Sequence, residues 1–215
     1  MIRNILFDLD GTITDSKEGI IKSAQYALRK LGIEPPAFED MFWVIGPPIR
    51  KSFAEKFSLD EETAFRGLRF YQERFGDVGY LENEVYEGVP EMLRLLKDKG
   101  YRLFITTSKP TVYTDAILKH FGLYDLFEFV SGSDLDGKRG SKAEVIRTVM
   151  EEHCLKAPET VIVGDREHDI IGGKETGILT MGVRYGYADA GELESAGADW
   201  IAETPMDIVR IVEES

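Results

Sequence analysis

Cysteine is almost absent: Cys154 stands alone in 215 residues, so no internal disulfide can form and a reducing compartment is expected. Positive charge is scarce too. Lysine and arginine number 26 against 39 aspartates and glutamates, a formal charge of −13. A chain of that sign repels polyanions, which excludes nucleic acid and anionic membrane as general partners. No apolar run approaches the ~20 residues that a membrane helix needs, and internal repeats and low-complexity linkers are missing. The opening Met1-Ile2-Arg3-Asn4 passes into strand-like sequence without a signal-peptide pattern. The expectation is a cytoplasmic protein with a small-molecule partner, monomeric or dimeric. An anionic ligand must be drawn in by a local cation cluster or a metal.

What is present is concentrated in Ile5 to Thr14, where the apolar run Ile5-Leu6-Phe7 ends in Asp8-Leu9-Asp10-Gly11-Thr12. An apolar strand buried on both faces gives rigid support, and its C-terminal end is where an open parallel sheet presents ligand-binding groups. Asp8 and Asp10 are one residue apart, so in strand geometry they lean the same way. Two such carboxylates repel each other unless a cation or a shared proton lies between them. A divalent metal accounts for the pair.

Beyond this stretch the chain has two grammars. Residues 15–85 read as helices only: 15–31 with an Asp15/Glu18 capping box and Gly32 as its stop, a short aromatic helix over 39–45, then 49–57 and 60–75. Ala64, Phe65, Leu68, Tyr71 and Phe75 mark the apolar face of the last of these. From Tyr86 onward, helices and strands alternate. Strands are expected at 101–107, 127–130, 160–163, 178–183 and 200–201. Helices are expected after Gly88 and Pro110 and over 141–153, 167–176 and 190–195, with a closing helix started by Thr204-Pro205. Such alternation implies a doubly wound α/β parallel sheet, which the strand at 2–7 joins. The helical stretch 15–85 is then an insertion into a core made of 1–14 and 86–215.

Strand ends in such a sheet converge. They bring together Asp8 and Asp10, Thr107 and Ser108 with Lys109, and Gly164, Asp165 and Asp169, with Lys142 at a helix start. Each residue type has a use in phosphoryl chemistry. A carboxylate can attack phosphorus and form an aspartyl-phosphate. Magnesium prefers oxygen ligands and cancels the repulsion between nucleophile and phosphate. Hydroxyls, backbone N–H groups and a lysine hold phosphoryl oxygens, and a second carboxylate can move protons.

Taken together, these motifs resemble the haloacid dehalogenase superfamily, in its phosphoglycolate-phosphatase-like branch. Asp8-Leu9-Asp10-Gly11-Thr12 matches DxDGT, Leu103 to Pro110 a hydrophobic strand ending in Thr or Ser, Lys142 the lone lysine, and Gly164-Asp165-Arg166-Glu167-His168-Asp169 the GDxxxD motif. The resemblance implies a Rossmann-like core with a small helical cap, and a magnesium-dependent phosphatase acting on a small phosphorylated metabolite, phosphoglycolate- or nucleotide-like. It makes Asp8 nucleophile and metal ligand. Asp10 becomes the acid/base, whose backbone carbonyl also binds metal. Asp165 is a metal ligand and Asp169 a supporting carboxylate. Thr107, Ser108 and Lys142 bind substrate, with Thr107 and Lys142 also in the catalytic set. The insertion occupies the cap position, and Gly46-Pro47-Pro48-Ile49-Arg50-Lys51 resembles a cap loop, with Arg50 and Lys51 as candidate substrate contacts.

Other readings are weaker. A calcium loop needs glycine sixth and a closing glutamate, whereas Gly11 is fourth. The near P-loop at 132–139 has Arg139 where Ser or Thr is required, and reads as a solvated turn. His120, His153 and His168 have no metal spacing, and Cys154 reads as a packing residue. A phosphomutase would use the same acids, and a phospho-accepting receiver domain is the non-enzymatic alternative. A receiver has no use for the helical insertion.

Overall fold

The computed structural model describes residues 1–135 and 141–215. The turn expected at 132–139 falls partly outside the described residues. The chain divides into two compact units, one of residues 1–15 and 85–215, the other of residues 16–84.

The first unit is built on a six-stranded parallel sheet of β1 (Asn4–Phe7), β4 (Arg102–Pro110), β5 (Phe129–Ser133), β6 (Thr160–Gly164), β7 (Leu179–Val183) and β8 (Trp200–Ala202), in the order β5-β4-β1-β6-β7-β8. Two-residue strands β2 (Thr14–Asp15) and β3 (Glu84–Val85) pair separately. Ile5, Leu6 and Phe7 are completely buried, as a central strand with neighbours on both edges and helices on both faces requires. The strand order reverses at β1. Right-handed crossovers therefore put the helices on opposite faces on the two sides of that point. Accordingly α4 (Val89–Asp98) packs with α9 (Pro205–Glu214), and α6 (Lys142–Glu152) with α7 (Glu167–Thr176). Leu6, Phe104, Ile146, Val149 and Ile162 form one buried cluster under α6. Helices α5 (Thr111–His120) and α8 (Glu192–Ala196) complete the alternation.

The second unit holds α1 (Lys17–Lys30), α2 (Ile49–Phe57) and α3 (Glu61–Asp77). Gly19 of α1 lies so close to Gly79 that a Cβ there would sit 1.9 Å from the Gly79 carbonyl oxygen. Asp60 caps α3 by accepting from Thr63 N–H at 2.7 Å.

Four local expectations are corrected. The Asp15/Glu18 capping box does not form: Ser16 takes the N-cap position, and the Asp15 carboxylate instead accepts from the Tyr187 hydroxyl at 2.7 Å. The aromatic helix over 39–45 is two 3-10 turns, Phe38–Asp40 and Phe42–Val44, interrupted at buried Met41 (φ −111°, ψ 9°). Phe65 is 43% exposed, its ring covered by the Arg50 guanidinium at 5.8 Å. Gly67 takes the inward place on α3, against Phe53 and Leu31. Cys154 is exposed, in a left-handed turn with φ 52° that directs Leu155 into the core in its stead.

Candidate active site

The point where the strand order reverses is where a doubly wound sheet binds ligands, and three carboxylates meet there. Strand β1 stays paired one residue past its end, Asp8 N–H donating to Val163 O at 2.9 Å. The chain then coils tightly: Ile13 and Thr14 N–H groups both donate to Leu9 O, and Gly11 N–H donates to Thr14 O. Gly11 has φ +83°, and a Cβ on it would come within 2.0 Å of Asp165 Oδ2. Glycine is therefore required both for the turn and for the neighbouring acid.

On the other side, β6 ends at Gly164, where a Cβ would lie 2.1 Å from Asp169 Cγ. Its absence lets Asp169, from the first turn of α7, lie across the strand end. Asp169 Oδ2 accepts from Arg166 N–H at 3.2 Å. Carboxylate oxygens of Asp8, Asp165 and Asp169 lie within 4.8 Å of one another, all buried.

Lys142 is the cation among them. A Ser141/Glu144 capping box starts α6, and Gly172 leaves room for the Lys142 stem between α6 and α7. The ammonium donates to Thr106 O at 3.0 Å and lies 2.9 Å from Asp8 Oδ1 and 2.6 Å from Asp169 Oδ1. Neither of those two carboxylate oxygens receives a well-directed hydrogen bond, and buried Asp165 Oδ1 has no hydrogen-bond partner. A lysine at a helix start is disfavoured by the helix dipole; here the acids outweigh that.

Electrostatics follow from burial. Burial pushes Asp165 well above the ordinary carboxylate range, and Asp169 and Asp8 push it further, against the Tyr187 N–H and Arg166. Asp169 is raised to about 6, chiefly by burial, with Lys142 opposing. Burial alone would lower Lys142, but Asp169 and Asp8 hold it above the usual lysine value. Three carboxylates around one ammonium are short of positive charge. Buried hard oxygens without donors suit a divalent cation, so the residues present fit a metal.

Asp10 stands apart from this cluster. Lys109 Nζ grips both its carboxylate oxygens, at 2.8 and 2.6 Å, and both side chains are buried. A metal role for Asp10 therefore rests on its backbone carbonyl. Thr107 is buried, with its hydroxyl accepting from Lys109 N–H at 3.2 Å. Ser108, half-buried beside it, offers its carbonyl to the Ser133 hydroxyl at 2.8 Å. Arg50 and Lys51 lie at the start of α2 in the other unit, where Arg50 pairs with Glu61 and Lys51 lies 3.9 Å from Glu55.

Two residues in the site went unassigned by sequence reasoning. Lys109 follows the Thr107-Ser108 pair at the strand end, which was its sequence signal, and it is buried where the β4–β5 register shifts between Thr106 and Pro110. Tyr187, beyond β7, donates its N–H to Asp165 Oδ2 at 2.8 Å; no sequence pattern singles it out.

A doubly wound sheet with an acidic, lysine-bearing cluster at its switch point defines an α/β protein with a candidate catalytic site at its strand ends. The haloacid dehalogenase-like hydrolase profile matches residues 5–183, and the chain belongs to that family. It is an enzyme of the family's phosphatase group. A 5'-nucleotidase of Pseudomonas aeruginosa is 41% identical over 192 residues, covering 89% of this chain and 87% of its own length. A phosphoglycolate phosphatase of Vibrio parahaemolyticus is 27% identical over 98% of this chain and 96% of its own. A crystal structure described as a predicted phosphatase from Clostridium acetobutylicum superposes with a TM-score of 0.97 at 40% identity, covering all of both chains.

Proposed function

We propose that the protein is a magnesium-dependent phosphatase that hydrolyses a small phosphorylated metabolite, phosphoglycolate- or nucleotide-like, through a phosphorylated Asp8. The observation that carries this reading is the buried Asp8-Asp165-Asp169 cluster, whose oxygens lie within 4.8 Å of one another beside Lys142. Asp8, Asp165 and Asp169, with the Asp10 carbonyl, would hold the ion. When bound, magnesium offsets the repulsion between Asp8 and the phosphate and draws charge from the phosphoryl oxygens.

The remaining steps belong to the chain's own groups. An Asp8 oxygen attacks phosphorus, forming the O–P bond as the ester P–O bond breaks, and Asp10, released from Lys109 and protonated when substrate binds, gives its proton to the departing alkoxide. Asp10 then takes a proton from water, which attacks the aspartyl-phosphate and releases phosphate and free Asp8. Lys142 acts as a point charge on the phosphoryl oxygens, and Thr107 and Ser108 contribute hydrogen bonds. The inserted helical unit serves as a cap that chooses among substrates, with Arg50 and Lys51 as its cations. A cytoplasmic setting is part of the proposal, supported by the single cysteine and by the absence, among the described residues, of any helix long and apolar enough to cross a membrane.

Asp8→Asn tests the reading. Turnover of a generic phosphate ester in magnesium should fall by about 10⁴-fold or more, since the nucleophile is gone, while the circular dichroism spectrum is unchanged. Wild-type hydrolysis by this variant refutes the assignment. A screen of phosphorylated metabolites ranked by kcat/KM then identifies the substrate.

A further inference from the structure

The segment after β7, Arg184-Tyr185-Gly186-Tyr187, reaches the metal-fitted cluster and the turn that follows Asp8 at the same time. Tyr187 N–H donates to Asp165 Oδ2 at 2.8 Å, while its phenol donates to Asp15 Oδ1 at 2.7 Å. Tyr185 hydroxyl donates to Thr12 O at 3.0 Å, and Gly186 is wedged so tightly that a Cβ would lie 2.3 Å from Asp165 Cβ and 2.4 Å from Gly11 O. Tyr86 adds an edge-on contact to the Tyr185 ring at 5.1 Å. Burial above all, with Tyr86 and Asp15 in support, keeps the Tyr187 phenol protonated and therefore a donor.

We infer that Tyr187 is a positioning residue for the metal ligand Asp165, with the Tyr187–Asp15 hydrogen bond as the anchor that holds its N–H on Asp165 Oδ2. The inference rests on the metal reading of the cluster. Its logic is that of a carboxylate ligand whose second oxygen must be fixed by an outer hydrogen bond. With Oδ2 taken by the Tyr187 N–H, buried Oδ1 is the oxygen left without a donor, and thus the one available to a cation. If the phenol loses Asp15, the loop gains freedom, the N–H drifts, and Asp165 can rotate.

Magnesium binding to the full-length protein, measured by titration calorimetry and by the rise in Tm with added magnesium, tests this in wild type, Tyr187→Phe, Asp15→Ala and the double variant. The expected result is a Kd about 10-fold higher in Tyr187→Phe and a similar loss in Asp15→Ala. The double variant should be no weaker than the worse single, because both remove one bond. Turnover at saturating magnesium should recover most of the wild-type kcat, which a merely structural defect would not do. Wild-type magnesium affinity in Tyr187→Phe overturns the inference while leaving the metal reading standing. A wild-type protein that binds no magnesium overturns both.

Discussion

Lys109 is where a single side chain alters the reading of the site. Its ammonium sits on both oxygens of Asp10, with only 5% and 10% of the two side chains exposed. A buried pair of this kind contributes little by existing but costs about 3 kcal/mol to break, because one charge is left uncompensated. Lys109→Met should therefore lower the thermal midpoint markedly, and Asp10→Asn placed on top of it should restore part of the loss. Differential scanning calorimetry of the two variants decides the matter; a double variant no more stable than Lys109→Met means the pair is not what holds this strand end. At this scale the sequence was informative where chemistry is encoded locally. Asp8, Asp165, Asp169 and Lys142 could be gathered from strand ends and helix starts alone, and the structure brings all four together. Lys109 was gathered with them, but its pairing with Asp10 was not legible, because it depends on the irregular end of β4. Tyr187 could not be gathered that way, because its contact with Asp165 is made by backbone, which carries no residue signature.

Among the elements, helices α2 and α7 and most strands were legible from their boundaries and apolar runs: Pro48 immediately precedes α2, and Gly177 in a left-handed conformation stops α7. The failures lie where a tertiary partner outbid a local one. Asp15 forgoes capping α1 for the Tyr187 hydroxyl, and Phe65 is left outward because Gly67 is the residue small enough to meet Phe53. The end of α3 shows what ties the helical unit. Arg74 binds both carboxylate oxygens of Glu82, at 2.8 and 2.9 Å, and the Ser23 hydroxyl of α1 at 3.1 Å. The Arg74 hydrogen bonds hold Glu82 below the ordinary carboxylate range. A depressed acid stabilises the fold above its unfolded pKa of 4.5 and loses that contribution as pH falls through the folded value. Since a fifth to a quarter of these side chains stays in water, about 1 kcal/mol is the right scale. Glu82→Gln should lower stability to urea by that amount at pH 7 and by nothing once the pH is below the folded value. A difference that persists into strong acid would assign the loss to packing instead of charge.

The whole molecule carries a charge of −13 and yet must admit a phosphate. Among the described residues, the buried Asp8-Asp165-Asp169 group has Lys142 as the cation within ion-pair distance. The fold therefore stores an electrostatic deficit at the place where β1, β4 and β6 end, which the proposed magnesium would relieve. Anything that binds the native state and not the unfolded chain stabilises it by mass action, about 2.7 kcal/mol at one hundred times Kd. For a chain of this size that is a rise in Tm of about 5–10 °C. Chelation of purified protein should reverse the shift and abolish phosphate release together, and readdition of magnesium should restore both with one concentration dependence. Measured side by side, the two curves distinguish a cation that completes the site from one that only screens the acidic surface: sodium chloride at matched ionic strength should restore neither. If salt alone raises Tm and activity to the magnesium level, the deficit belongs to the surface as a whole and the three buried carboxylates are not its focus.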